Sequence, residues 1–179
     1  ESVKLTRKNI SNGKIQAAIV NSGNANCCTG SQGAEVAFRM AKATADVLNI
    51  SADDVIVCST GVIGQQLPVE KIENNIQQLK DGLSKEGHKE ARIAIMTTDT
   101  QYKECAVEFK LGDKVCKLGA IAKGSGMIHP NMATMLCWIS TVTAIRSCSL
   151  RRSQNPENKR WIFGCTKKVR LPWDMRISA

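Results

Sequence analysis

Residues 123–136, Lys-Gly-Ser-Gly-Met-Ile-His-Pro-Asn-Met-Ala-Thr-Met-Leu, decide the fold assignment of this chain. The stretch joins a Gly-rich turn to the dipeptide Ala133-Thr134. A threonine becomes a strong nucleophile when its own α-amine is free to accept the hydroxyl proton, and backbone cleavage just before the threonine produces that state. Thr134 is therefore a candidate N-terminal nucleophile, and the alternative is an ordinary threonine in a buried strand.

Three further polar or Gly-containing strings precede this stretch. They are residues 21–26 (Asn-Ser-Gly-Asn-Ala-Asn) followed by 28–30 (Cys-Thr-Gly), residues 59–64 (Ser-Thr-Gly-Val-Ile-Gly) and residues 96–100 (Met-Thr-Thr-Asp-Thr). In this order and spacing, the four strings resemble the motifs of the glutamate N-acetyltransferase/ornithine acetyltransferase family of arginine biosynthesis. The resemblance extends over residues 14–141. It implies a layered αββα architecture and self-cleavage between Ala133 and Thr134.

The resemblance also implies a role for each site residue. Thr134 would carry the acetyl group, while the Thr60 hydroxyl and the Gly61 amide would form the oxyanion hole that stabilises the tetrahedral intermediate. Lys123 and Thr97, with Thr98 as the alternative to Thr97, would bind the substrate. An ammonium group beside a hydroxyl is a suitable pair for the α-carboxylate of an N-acetylated amino acid. The implied catalytic residues are thus Thr134, Thr60 and Gly61, the implied substrate-binding residues are Thr97, Lys123 and Thr134, and the implied cleavage site is Ala133 and Thr134.

The implied activity is acetyl transfer from N-acetylornithine to glutamate through an acetyl-threonine intermediate. Acetyl-CoA is a second candidate donor, and no metal or organic cofactor is implied. Family members would form an α/β heterodimer or a higher oligomer, in the cytoplasm or the mitochondrial matrix. Two alternatives stay open: a related N-terminal-nucleophile amidase or aminopeptidase that passes the acyl group to water, and an inactive fragment.

Charge divides the 179-residue chain into two parts. Residues 1–136 carry a net charge of +2 and residues 137–179 a net charge of +7. We expect the first part to be an acetyltransferase α-subunit-like domain. The second would contain the start of a β-subunit-like segment and a divergent basic tail that packs poorly. We expect acetyl transfer by this chain alone to be weak or absent because of truncation. A basic tail can bind nucleic acid without specificity, but no nucleic-acid recognition motif accompanies it.

Hydrophobic patterning predicts an α/β fold. Apolar runs predict strands at 15–20, 55–58 and 91–96. Steps of three and four predict a helix over 31–49, with Ser31 as N-cap and Phe38 on the buried face, and a second helix that begins at Pro68. Residues 103–110 and 115–122 flank Gly112-Asp113 and predict a β-hairpin.

Other features exclude several classes of protein. The sequence contains no apolar run of about 18 residues, so no membrane-spanning helix is predicted. The start at Glu1, without a signal-like segment, suggests that further sequence precedes it. Eight scattered cysteines without metal-binding spacing predict reduced thiols in mostly apolar settings. Of the two histidines, His88 is expected at the surface and His129 in a structural role.

Overall fold

A computed structural model gives the fold of this chain. The structure describes residues 1–124, 136–141, 145–152, 161–169 and 176–177, with side chains described for 1–110, 112–124 and 136–141. The α-helices are α1 (Ser2–Asn9), α2 (Gly30–Leu48), α3 (Val69–Asp81) and α4 (His88–Ala94), and short 3₁₀ helices cover Ile10–Asn12 and Ala52–Asp54. The strands are β1 (Ala17–Asn24), β2 (Val55–Val62), β3 (Lys103–Leu111), β4 (Lys114–Lys123), β5 (Leu136–Thr141), β6 (Ile145–Arg152), β7 (Trp161–Val169) and β8 (Arg176–Ile177). The α/β class is thus confirmed.

The first sheet has the strand order β2-β1-β8. Strands β1 and β2 are parallel and pair from Ala17↔Val55 to Asn24↔Val62. Parallel strands need a long crossover, and α2 supplies it. The predicted strand 15–20 therefore begins two residues later and continues through the first four residues of the 21–26 string, because the polar residues of that string pair with β2.

Helices α2 and α3 cover one face of this sheet. The buried core between them comprises Ala17, Ile19, Val36, Met40, Ala41, Ala45, Val55, Val57, Leu67 and Val69. Ile72, Ile76 and Leu79 of α3 pack against this core, which confirms the predicted amphipathic helix. The apolar stripe of α2 is made of small and medium side chains, which let helix and sheet approach closely.

Three details of these helices differ from the sequence prediction. Phe38 is 47% exposed, because the buried stripe of α2 runs through Val36 and Met40 instead. Thr29, not Ser31, is the N-cap of α2, and its hydroxyl donates to the Asn26 side chain rather than capping the helix. Pro68 is the N-cap of α3 instead of its first helical residue.

The second sheet has the order β3-β4-β5 and is antiparallel. The β3–β4 hairpin confirms the prediction around Gly112-Asp113. Residues 91–96 do not form the predicted strand, since His88–Ala94 is helix α4. Periodicity alone does not separate a short buried helix from a strand, and Lys89, Glu90, Ala91 and Arg92 all favour helix.

The two sheets meet through a second apolar cluster. Its buried members are Ala91, Ile95, Ile121 and Leu136, packed against Val20, Cys58 and Trp138. Because side chains alternate along a strand, Val20 and Cys58 lie on the face of the first sheet opposite α2. The described residues thus form helix, sheet and sheet layers, and the remaining layer of an αββα architecture stays a prediction.

The basic region contains the antiparallel pair β6–β7 and the short strand β8, which pairs with β1. The predicted poor packing of the basic tail concerns side chains outside the described residues. The helices of the described part include none long and apolar enough to cross a membrane.

Cys27, Cys28, Cys58, Cys105 and Cys116 are free thiols. The prediction of reduced thiols holds for this group. The predicted apolar settings are wrong for Cys27, Cys28 and Cys105, which are exposed.

Candidate active site

The carboxyl ends of β1 and β2 place two hydroxyl groups side by side. Ser22 and Thr60 are directly paired in the parallel ladder. Each lies two residues after a member of the inter-sheet cluster, Val20 or Cys58, so both side chains point toward the second sheet. Their oxygens are 3.1 Å apart, and Thr60 is buried.

Gly61 follows Thr60 at a place where no side chain fits. Its φ is +130°, and a Cβ built on it would lie 2.2 Å from the carbonyl carbon of Gly23 on β1. The obstacle is backbone, which cannot move without breaking the β1–β2 ladder. Gly61 itself is exposed, so bare backbone faces the solvent beside the Thr60 hydroxyl.

Lys123, the last residue of β4, brings an ammonium group to the same place. Its Nζ donates to Ser22 Oγ and to Thr97 Oγ1, each at 2.8 Å. Lys123 is only 4% exposed, whereas Thr97 is exposed. The charge is therefore held inside the protein. The Thr97 hydroxyl lies between the ammonium and solvent, and the Ser22 hydroxyl lies between the ammonium and Thr60.

Burial lowers the pKa of the Lys123 ammonium below its ordinary value, because leaving water disfavours the charged form. The negative charge of Asp99 acts in the opposite direction and offsets part of this effect. A buried amine of this kind binds anions strongly when it is protonated, since little water competes for it.

Asp99 fixes the backbone on the other side of Lys123. One carboxylate oxygen accepts from the Gly124 amide at 2.9 Å and from Lys103 Nζ at 2.6 Å. Burial raises the pKa of the Asp99 carboxyl, but the Lys103 hydrogen bond and charge and the Gly124 N–H outweigh burial and hold that pKa below its usual range. Asp99 thus stays ionised and anchors the first residue after β4, where the 124–134 segment begins.

Cys58 lies two residues before Thr60 and is no competing nucleophile. Burial raises the pKa of its thiol to about 11. The reactive thiolate is therefore scarce at neutral pH. The described residues also contain no cluster of three His, Cys, Asp or Glu side chains that could hold a metal ion.

The structure brings together four of the predicted site residues: Thr60, Gly61, Thr97 and Lys123. Thr97 rather than Thr98 makes the contact with Lys123. Ala133, Thr134 and His129 lie outside the described residues. His88 is partly exposed and contacts Glu104 at 3.1 Å, in agreement with its predicted surface position.

Sequence reasoning missed the roles of Ser22 and Asp99. Both lie in strings singled out from the sequence, 21–26 and 96–100. A signal was available for Asp99, since an acidic residue within a Thr-rich string after an apolar run is a typical loop anchor. Ser22 offered no such signal, because its partner Lys123 is 101 residues away in the chain.

Known proteins are similar to this chain over most of its length. Residues 1–160 match the model of the ArgJ family. The chain is 51% identical over 141 residues to the "Arginine biosynthesis bifunctional protein ArgJ" of Caldanaerobacter subterraneus, covering 79% of this chain and 35% of that protein. It is 51% identical over 145 residues to the "Glutamate N-acetyltransferase" of Methanothermobacter thermautotrophicus, covering 79% and 36%. The chain thus spans about a third of the length of these curated relatives.

Two solved structures share the fold. The arginine biosynthesis bifunctional protein ArgJ of Bacillus halodurans aligns with a TM-score of 0.64 at 43% identity, over 74% of this chain and 70% of that one. The ornithine acetyltransferase of Mycobacterium tuberculosis, solved in complex with ornithine, aligns with a TM-score of 0.62 at 32% identity, over 75% and 70%.

Proposed function

Because this chain belongs to the ArgJ family, we propose that it carries the active-site half of an acyltransferase. The reaction is transfer of an acetyl group from N-acetylornithine to glutamate, through an acetyl ester on Thr134. The name glutamate N-acetyltransferase and the ornithine complex of two similar proteins support this choice of substrates.

One observation carries the proposal: a buried ammonium and a buried hydroxyl lie on either side of Ser22. The Lys123–Ser22 and Ser22–Thr60 contacts are 2.8 and 3.1 Å long. In an N-acetylated α-amino acid, the carboxylate is bonded to Cα and the acetyl carbonyl to the α-nitrogen. The two groups therefore lie only a few bonds apart. Lys123 and Thr97 suit the carboxylate, while Thr60 and Gly61 suit the carbonyl oxygen.

The nucleophile in this proposal is generated by self-cleavage. The Thr134 hydroxyl attacks the Ala133 carbonyl carbon, the peptide C–N bond breaks, and the acyl group moves to oxygen. Water then hydrolyses this ester and leaves Thr134 with a free α-amine. Chain geometry permits the arrangement, since Thr134 is two residues before Leu136, the ladder partner of Lys123, and two residues span at most about 7 Å.

Acetyl transfer then proceeds in two matched steps. The α-amine takes the Thr134 hydroxyl proton as the oxygen attacks the acetyl carbon of N-acetylornithine. The negative charge that develops on the carbonyl oxygen is stabilised at Thr60 and Gly61 until the C–N bond breaks and ornithine leaves with the proton. The amine of glutamate attacks the acetyl ester in the second step, which regenerates the Thr134 hydroxyl.

The matched region covers about a third of each curated relative, so the full activity is proposed for the assembled protein. The αββα architecture and a heterodimer of the two cleavage products are proposed on the same family relationship. The distribution of charge and the descriptions of the relatives supply no argument for a metal or an organic cofactor.

Intact mass spectrometry of the denatured chain tests the self-cleavage step. We expect two species whose masses correspond to cleavage between Ala133 and Thr134, and a single full-length species for Thr134→Ala. A folded wild-type chain that stays full length, or that is cleaved at another bond, contradicts the proposal.

A further inference from the structure

The Ser22 hydroxyl lies within hydrogen-bonding distance of three groups at the candidate active site. Its Oγ lies 2.8 Å from Lys123 Nζ, 3.1 Å from Thr60 Oγ1 and 2.7 Å from the carbonyl oxygen of Ile95. These partners come from β4, from β2 and from the residue that follows α4. A single side chain therefore joins the two sheets and the helix at the candidate active site.

Counting protons gives each of these hydrogen bonds a direction. A serine hydroxyl has one proton and two acceptor lone pairs. The Ile95 carbonyl can only accept, so Ser22 donates to it. The Lys123 ammonium can only donate, so Ser22 accepts from it. The remaining contact is then a hydrogen bond that Thr60 donates to Ser22.

The ammonium of Lys123 can be treated in the same way. It has three N–H groups, and among the described residues its hydrogen-bond partners are Ser22 and Thr97. Two N–H directions are thus fixed by hydroxyl oxygens, which leaves one for a ligand. The ammonium is buried, while its partner Thr97 is exposed to solvent.

We propose that Ser22 is a positioning residue that holds the Lys123 ammonium and the Thr60 hydroxyl in one arrangement for an α-carboxylate substrate. This inference rests on the function proposed above. Ser22 keeps the Thr60 proton oriented in the free protein, and that proton turns from Ser22 to the oxyanion when the tetrahedral intermediate forms. Ser22 touches no reacting atom and acts through its two neighbours.

A purely architectural role for Ser22 makes a different prediction. In that case its hydroxyl serves only to tie β1 to the Ile95 carbonyl, and its loss lowers stability without changing the protonation of Lys123. The charged groups near Lys123 are Asp99, in the loop before β3, and Lys103 of β3, which pairs with Asp99. Neither contacts Ser22, so the titration of Lys123 isolates the effect of Ser22.

The test is an NMR titration of ¹⁵N-lysine-labelled chain, with the Lys123 signal identified by its loss in Lys123→Gln. Ser22→Ala removes an acceptor from the ammonium, so we expect Lys123 to lose its proton at lower pH than in the wild type. Ser22→Cys keeps the side-chain volume but offers a weak sulfur acceptor, and shifts the titration in the same direction. The matched control is Thr44→Val, which deletes a buried hydroxyl bonded to Met40 within α2.

An unchanged Lys123 titration in folded Ser22→Ala and Ser22→Cys overturns the inference. A second arm separates this result from failure of the proposed function. N-Acetylornithine should shift the Lys123 signal of the wild type, and N-acetylputrescine, which lacks the carboxylate, should not. If neither compound shifts the signal while Ser22→Ala still changes the titration, the substrate assignment fails and the hold of Ser22 on Lys123 stands.

Discussion

Replacing Asp99 by asparagine should loosen the segment that leads to the cleavage site. The Asp99 side chain is 1% exposed and accepts from Lys103 Nζ and from the Gly124 amide. Asparagine keeps one carbonyl acceptor but loses the charge. The perturbation therefore weakens both bonds and leaves the shape of the side chain nearly unchanged.

The expected loss of stability is about 2 kcal/mol. A hydrogen bond to a charged group contributes about 1.5–3 kcal/mol, and the Asp99 carboxylate makes two bonds of this kind. The amide oxygen of asparagine retains part of this energy, and Lys103, which is 44% exposed, regains water. For a chain of this size, 2 kcal/mol corresponds to a fall in Tm of about 4–8 °C.

The effect should depend on pH in a defined direction. The pKa of Asp99 in the folded chain is below its unfolded value of about 3.9, so the unfolded chain binds the proton first as pH falls. The contribution of Asp99 is thus complete above about pH 4 and is lost as pH falls through the folded pKa. Urea unfolding should show a larger difference between wild type and Asp99→Asn at pH 7 than near pH 3.

Asp46→Asn is the matched control, because Asp46 forms an exposed pair with Lys42 on α2. Such pairs contribute about 0–1 kcal/mol, so this variant should unfold close to the wild type. We also expect slower self-cleavage in Asp99→Asn, seen as a larger full-length fraction by mass spectrometry. Equal stability of Asp99→Asn and wild type at pH 7, or a difference as large near pH 3 as at pH 7, refutes the anchoring role.

Three further predictions concern the site itself. Thr60→Val should lower the acetylation rate of Thr134 about 10²–10³-fold, whereas Thr60→Ser should keep most of that rate. The rates are measured by mass spectrometry of quenched samples, and equal rates for Thr60→Val and wild type would show that Thr60 is not part of the oxyanion hole. Urea unfolding should show that Gly61→Ala is less stable than Gly64→Ala. Both glycines have positive φ, which costs about 1–3 kcal/mol for alanine, but of the two only Gly61 has backbone within 4 Å of the added Cβ. Folding lowers the pKa of Lys123, so the free energy of unfolding of the wild type should increase as pH rises from the folded pKa toward the unfolded value of about 10.4. Lys123→Met should lack this increase, and parallel pH profiles of unfolding free energy for the two proteins would contradict the prediction.

Local patterns in the sequence predicted the elements whose signals are local. The 3.6-residue periodicity of Ile72, Ile76 and Leu79 located α3, and Gly112-Asp113 between two alternating runs located the hairpin. The prediction of a strand at 91–96 was wrong, because a short apolar run of this length is compatible with both a strand and a buried helix. The prediction that Phe38 is buried was wrong for a related reason. Its position on α2 fits the apolar periodicity, but it lies beside the stripe that packs against the sheet.

The site was predictable only as a set of separate strings. The resemblance named Thr60, Gly61, Thr97 and Lys123, but no pattern in the sequence shows which hydroxyl meets the ammonium. That contact depends on the register of β1 against β2 and on where β4 ends, and both are set by packing between distant segments. Ser22 therefore emerged from the structure alone.

The central claim is that Thr134 carries the acetyl group, and peptide mapping of the acylated chain tests it most directly. The chain, with any second-subunit partner that its activity needs, is incubated with N-acetylornithine, quenched in acid and digested. We predict one added acetyl group on the peptide that begins at Thr134, absent from Thr134→Ala, and its transfer to glutamate as N-acetylglutamate in a chase. Release of the group as free acetate with glutamate present would indicate an amidase. An acetyl group on another residue, or none on a chain cleaved at Ala133–Thr134, would contradict the account.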